Sequence, residues 1–227
     1  MADWTSRGVV VCGAAGALGT ALTVDFAGRG ATVIAVDGLL PTADRQVPNV
    51  EYAQLDLSDE SAVANFFTGR DVPWAVVNTV GGYAPNGPLT ELDIAELNRQ
   101  IELNLTTAAL ITKYALRRMI EVGEGRIVHT ASKAALSTHD NGLPYSLSKL
   151  GVMHLVTMAA EEVHGTGITV NCVMPSIMDT PANRAAMPAA EHARWPAVAD
   201  VAEVYAFLAS PQAGLVSGAA IPVYGRS

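Results

Sequence analysis

Residues 8–20 read "GVVVCGAAGALGT". The valine run suits a strand, and its lack of polar alternation suits one covered on both faces. Glycines at 13, 16 and 19 then break the run, and the apolar, alanine-containing stretch to residue 30 carries a helical pattern. A strand, a glycine-rich turn and a helix in that order form the opening unit of a doubly wound α/β sheet. Glycine lets the chain turn tightly, lets backbone N–H groups approach a pyrophosphate and lets the helix pack on its strand. The literal G-x-G-x-x-G spacing is absent, because Ala14 stands at its second glycine.

The same alternation continues along the chain. Further strand-like runs are "ATVIAVD" (31–37), "VEYAQLD" (50–56), "WAVVNT" (74–79), "GRIVHTAS" (125–132), "GITVNCVMP" (167–175) and "AAIPVYG" (219–225). Between them lie helical patterns over 58–69, with Ser58 as N-cap, over 90–120, opened by Thr90 with Asp93, over 144–164 and near 198–209. About seven apolar strands separated by helices predict a single-domain, Rossmann-type parallel sheet with helices on both faces, spanning residues 1–227. The Ala- and Pro-rich segment 176–200 reads as a loop with short helical pieces.

Bulk properties exclude several functions. Net charge is −8, which argues against nucleic acid as partner. No run of about 18 apolar residues offers a membrane span, and the opening "MADWTSRG" lacks the regions of a secretory signal. Cys12 and Cys172 fall inside apolar strands and read as buried free thiols of a reducing, cytoplasmic setting. The five histidines show no metal-ligand spacing, so no metal site is expected.

In a sheet of this kind ligands sit beyond the carboxyl ends of the strands. Asp37 ends the second strand about 18 residues after Gly19, where a carboxylate can hold both hydroxyls of an adenosine ribose. It would repel a 2′-phosphate, and no basic residue follows before Arg45, so NAD(H) is favoured over NADP(H). Asp56 ends the third strand at a similar height, suited to an adenine edge.

"GLPYSLSKLG" (142–151) places Tyr145 and Lys149 one helical turn apart, with Pro144 in the first turn. A free phenol has a pKa of about 10, too high for an efficient base near neutrality. An adjacent ammonium favours the phenolate, and lowering the pKa by two units takes about 2.7 kcal/mol. Ser132 ends the strand "RIVHTAS", where its hydroxyl can share a substrate oxygen with the phenol. Asn104 sits in the apolar stretch "ELNLTTAAL", where a buried amide needs partners and can hold a water beside Lys149.

These residues resemble the short-chain dehydrogenases/reductases over nearly the whole chain. "NTVGG" (78–82) is similar to the family's Asn-Asn-Ala-Gly segment, keeping Asn78 and Gly81, and "VMPSIMDT" (173–180) to its Pro-Gly segment, keeping Pro175 and Thr180 with Ser176 in place of glycine. Asn104, Ser132, Tyr145 and Lys149 fall at the spacing of its catalytic tetrad. The glycine spacing and "VGGY" resemble the dihydropteridine-reductase-like branch, although Ser132 departs from it. The resemblance implies an NAD(P)(H)-dependent oxidoreductase interconverting a carbonyl compound and its alcohol. Tyr145 would be general acid/base, Ser132 would polarise the substrate oxygen, Lys149 would hold the ribose and tune the phenol, and Asn104 would support proton resupply. Implied cofactor contacts are Gly13, Gly16, Ala17, Leu18, Gly19, Asp37, Asp56, Leu57, Asn78, Gly81, Tyr145, Lys149, Pro175, Ser176 and Thr180. A homodimer or homotetramer through the two long helices is implied as well.

Substrate contacts are open to Tyr83, Leu143, Met178, Met187 and Trp195. Arg184 and Arg194 could meet an anionic group, and His139 and Asp140 read as loop residues near the catalytic helix. Competing functions are a non-catalytic NAD-binding sensor, a pterin reductase of the same family, and a lyase or epimerase using NAD transiently.

Overall fold

The computed structural model describes residues 4–136 and 142–226; His139 and Asp140 lie outside the described residues. Seven parallel strands form one sheet: β1 (Gly8–Cys12), β2 (Thr32–Asp37), β3 (Glu51–Gln54), β4 (Ala75–Asn78), β5 (Glu124–Thr130), β6 (Gly167–Pro175) and β7 (Ala220–Val223). Their order across the sheet is β3-β2-β1-β4-β5-β6-β7. The direction of winding therefore reverses between β1 and β4, which pair from Val9–Ala75 to Cys12–Asn78.

β1 shows why its sequence lacks polar alternation. Val9 and Val11 face a core with Leu22, Phe26, Tyr205 and Leu208, beneath α1 (Ala17–Gly28) and α7 (Val198–Leu208). Val10 and Cys12 face the opposite core with Phe67, Ile111, Met119 and Val156. That core lies beneath α2 (Glu60–Thr68), α4 (Thr107–Val122) and α5 (Leu143–Glu162). Fully burying a side chain such as Phe26 or Ile111 contributes about 1.5–3 kcal/mol each.

Two helix starts differ from the sequence reading. Asp59, not Ser58, caps α2, accepting from the N–H groups of Ser61 and Ala62. The predicted helix over 90–120 begins at α3 (Ile94–Gln100), capped by Asp93 itself rather than by Thr90. A π-helical turn over Ile101–Thr106 then joins α3 to α4. Single π turns mark places where a side chain demands a local change of register, and Asn104 sits inside this one. The segment 176–200 holds the short α6 (Pro181–Ala186) and a 3₁₀ turn, His192–Arg194. No helix among the described residues is long and apolar enough to cross a membrane.

Candidate active site

At the carboxyl end of β1 the glycine turn is fitted against the end of β4. Gly13 adopts φ = 81°, and a Cβ on it would lie 2.6 Å from Thr79 Oγ1 and 2.8 Å from Val80 N. A Cβ on Gly19 would lie 2.0 Å from the Gly13 carbonyl oxygen, so the start of α1 rests directly on the turn. Thr79, which the sequence reading passed over, donates its hydroxyl to the carbonyls of Cys12 and Gly13 at 3.0 and 3.1 Å. Gly16 precedes α1 without a side-chain cap, so the N–H groups at Ala17 and Leu18 belong to a helix end suited to phosphate.

Asp37 reaches into this turn. Its Oδ2 accepts from Ala15 N at 2.9 Å and its Oδ1 from Leu39 N at 3.1 Å. Asp56 folds onto Ser58, accepting from both its N–H and its hydroxyl, which holds the carboxyl below its ordinary pKa. A cleft of about 700 Å³ runs between these groups, lined among others by Gly13, Gly16, Asp37, Asp56, Leu57 and Gly81. Its glycine turn, packed against the end of β4 where Gly13 has no room for a Cβ, and its acid at the edge of the cleft fit a nicotinamide dinucleotide.

Gly81 joins the cleft to the second half of the site. A Cβ there would stand 2.5 Å from Asn104 Oδ1 and 2.9 Å from Lys149 Nζ. Asn104 is buried, its Oδ1 accepting from Gly82 N and its Nδ2 donating to the Gly82 carbonyl and to Gln100 Oε1. Both amide hydrogens are thereby committed, leaving one lone pair of Oδ1 in the corner shared with Gly81 and Lys149. The side chain fixes the loop after β4 against the π turn and the end of α3.

Ser132 follows β5, accepts from Ala134 N at 3.2 Å, and is hydrogen-bonded through its hydroxyl to Tyr145. Lys149, one turn along α5, is 3% exposed and donates to the Thr130 carbonyl at 2.9 Å. The expected acidification of the phenol is not what the protein alone produces. Burial raises the Tyr145 pKa above its ordinary value, the Ser132 hydrogen bond opposes this, and Tyr83 adds to it. Burial likewise pushes Lys149 down to about 8. Each group is driven toward its neutral form, chiefly by desolvation.

Asn78 turns inward. Its Oδ1 accepts from Val80 N, which orients the amide so that Nδ2 donates to His129 Nδ1 at 3.1 Å. His129 Nε2 therefore carries the proton and donates to Thr112 Oγ1, 2.8 Å away. Burial holds His129 at a pKa of about 3, a neutral strut between β5 and α4. Thr130 is a second junction, donating its hydroxyl to the Asn78 carbonyl and meeting Tyr205 at 2.6 Å.

Pro175, Ser176 and Thr180 lie at and beyond the end of β6 and do not line the 700 Å³ cleft. Ser176 donates to the Tyr224 carbonyl, and Thr180 caps α6 by accepting from Asn183 N. Leu143 opens α5, and Met178 packs on the core beneath α1 and α7. Met187 offers its carbonyl to His192, on which Trp195 stacks at 4.6 Å. Both arginines of the 176–200 segment are engaged: Arg184 forks onto Asp179, and Arg194 donates to the Arg226 carbonyl.

The sequence profile described as short chain dehydrogenase matches residues 7–191. The chain is 36% identical to cis-4-hydroxycyclohexanecarboxylate dehydrogenase of Sinomonas cyclohexanicum, over 98% of this chain and 96% of that protein. It is 30% identical to (−)-isopiperitenol/(−)-carveol dehydrogenase of Mentha piperita, over 95% and 91%. A short-chain dehydrogenase/reductase structure from Burkholderia xenovorans superposes with a TM-score of 0.88 at 31% identity, covering 99% of this chain and 97% of that one. These relatives lend no support to the dihydropteridine-reductase-like branch. With a parallel sheet wound about the β1–β4 switch point and a profile covering most of its length, the chain belongs to the short-chain dehydrogenases/reductases, oxidoreductases acting on alcohol and carbonyl groups.

Proposed function

We propose that the protein interconverts an alicyclic secondary alcohol and its ketone with NAD(H), using Tyr145 as general acid and base. The observation that carries this reading is the Ser132–Tyr145 hydrogen bond with Lys149 one turn away, beside a glycine-floored cleft that Gly81 joins to the same corner. The cofactor supplies or accepts the hydride when bound. The turn at Gly13, Gly16, Ala17, Leu18 and Gly19 would hold its pyrophosphate, and Asp37 its adenosine ribose. Asp56 and Leu57 would border the adenine, while Asn78, Gly81, Pro175, Ser176 and Thr180 would shape the nicotinamide end.

In ketone reduction Tyr145 donates its proton to the oxygen that becomes the alcohol, and Ser132 hydrogen-bonds that same oxygen. Lys149 keeps two of its three N–H donors after bonding Thr130, enough for a ribose hydroxyl. The open lone pair of Asn104 accepts a water from which the proton is replaced. In alcohol oxidation Tyr145 takes the proton back.

The preference for NAD(H) rests on this chain's own residues, since one neighbour at 25% identity, ElxO, binds NADP. Here Asp37 and the uncharged Gly16 flank the ribose position. The alicyclic class follows the named substrates of the two relatives above, both built on six-membered rings. Exposed Leu147, Leu150 and Met158 along α5 support a homodimer or homotetramer through this helix and α4. The segment 176–200 serves as the lid, and the buried free thiols Cys12 and Cys172 suit the cytoplasm. The test is NADH formation with cyclohexanol and its substituted relatives. Turnover with NAD that is lost in Tyr145→Phe supports the reading, and no net NADH with any alcohol or ketone overturns it.

A further inference from the structure

Tyr83 stands on the loop between β4 and α3, and its ring meets that of Tyr145 at 89° with centroids 5.3 Å apart. It remains 60% exposed although one side is packed against the phenol read as proton donor. Gly142, just before α5, closes its other flank, where a Cβ would lie 3.5 Å from Tyr83 Cε2. A large ring held on two sides and open on the third offers an apolar surface to whatever approaches Tyr145.

We propose that Tyr83 is a specificity-determining residue, forming with Tyr145 a right-angled corner that receives the hydrocarbon ring of an alicyclic alcohol or ketone. This rests on the activity proposed above and names what that site selects. The reacting carbon must bring its oxygen within hydrogen-bond reach of the Tyr145 hydroxyl. The hydrocarbon beside it then lies along Tyr83. A six-membered ring arrives with its torsions already fixed, whereas an open chain must immobilise several rotors to cover the same surface. Ring C–H groups also match the negative face of an aromatic ring.

The experiment compares Tyr83→Ala and Tyr83→Phe with the unaltered enzyme on cyclohexanol and 2-hexanol at saturating NAD. Tyr83→Ala lowers the cyclohexanol to 2-hexanol ratio of kcat/KM about 10-fold, mainly through the KM for cyclohexanol. Tyr83→Phe, which keeps the ring, keeps that ratio. An unchanged ratio in Tyr83→Ala, or a ratio in Tyr83→Phe that falls as far, overturns the specificity role. Calorimetric binding of cyclohexanone to the protein–NAD complex, in which no hydride can pass, judges Tyr83 independently of turnover. Weaker binding to Tyr83→Ala by about 10-fold supports the corner, and equal binding overturns it, even if the unaltered enzyme turns over neither alcohol and the activity reading itself fails. Unchanged NADH affinity and melting temperature show that the variants remain folded.

Discussion

Lys149 gives its ammonium to the carbonyl oxygen of Thr130, 2.9 Å away, while the ring centroid of Tyr145 on the same helix lies 5.9 Å from Nζ. Spacing along a helix puts two side chains on one face without making them partners. The ligand-free chain holds the phenol above its ordinary pKa and the ammonium below its own, both through burial. On the proposed mechanism, acidification of Tyr145 would depend on charge that arrives with the oxidised cofactor.

A buried cation with no carboxylate against it among the described residues opposes folding. The folded pKa of Lys149, about 8, lies below its unfolded value of 10.5. Its penalty is thus complete below about pH 8 and fades as the pH rises from there to 10.5. A shift of this size corresponds to roughly 3 kcal/mol. Lys149→Met is expected to stabilise the ligand-free protein at pH 7 by about 1–3 kcal/mol, with the advantage shrinking above pH 8, while activity is lost. Chemical denaturation at pH 7 and pH 10 measures this, and a variant no more stable at pH 7 contradicts it.

Gly81 tests the corner itself. A methyl group there would meet Asn104 Oδ1 at 2.5 Å and Lys149 Nζ at 2.9 Å. Gly81→Ala is expected to leave the sheet folded and to lower kcat by about 100-fold or more, because small displacements of positioned groups cost rates of that order. Circular dichroism with steady-state kinetics decides it. Near-normal kcat in a folded variant would show that the corner tolerates the shift.

Much of this was legible in the residues, for identifiable reasons. Unbroken apolar runs such as Val9–Cys12 gave the strands because a parallel sheet covered on both faces permits little else. Ser132 and Lys149 lie beside Tyr145, and Asn104 and Lys149 both border Gly81, since each follows a strand end or occupies a helical segment packed on the sheet. The π turn at Ile101–Thr106 was hidden because its residues are good helix formers, and only Asn104 hinted at it. The direction of the Tyr145 shift could not be read either, as it turns on how deeply both groups are buried. Thr79 escaped notice because its task is to hold the carbonyls of Cys12 and Gly13, a contact between segments far apart in the chain.

Asp37 carries the expected coenzyme preference. Asp37→Asn keeps an acceptor and a small side chain but removes the charge facing a 2′-phosphate. The NAD to NADP ratio of kcat/KM is expected to fall about 10-fold or more. Titration of both reduced coenzymes by fluorescence gives the same comparison without turnover. Equal ratios in variant and parent would take Asp37 out of coenzyme selection.

The most direct measurement is single-turnover oxidation of cyclohexanol by the NAD-loaded enzyme across pH 6–10, for the parent and for Tyr145→Phe. The account predicts a parent rate that climbs with pH as one group ionises, and a variant at least about 100-fold slower and flat in pH. A variant that transfers hydride at the parental rate, or keeps the same pH dependence, would contradict it.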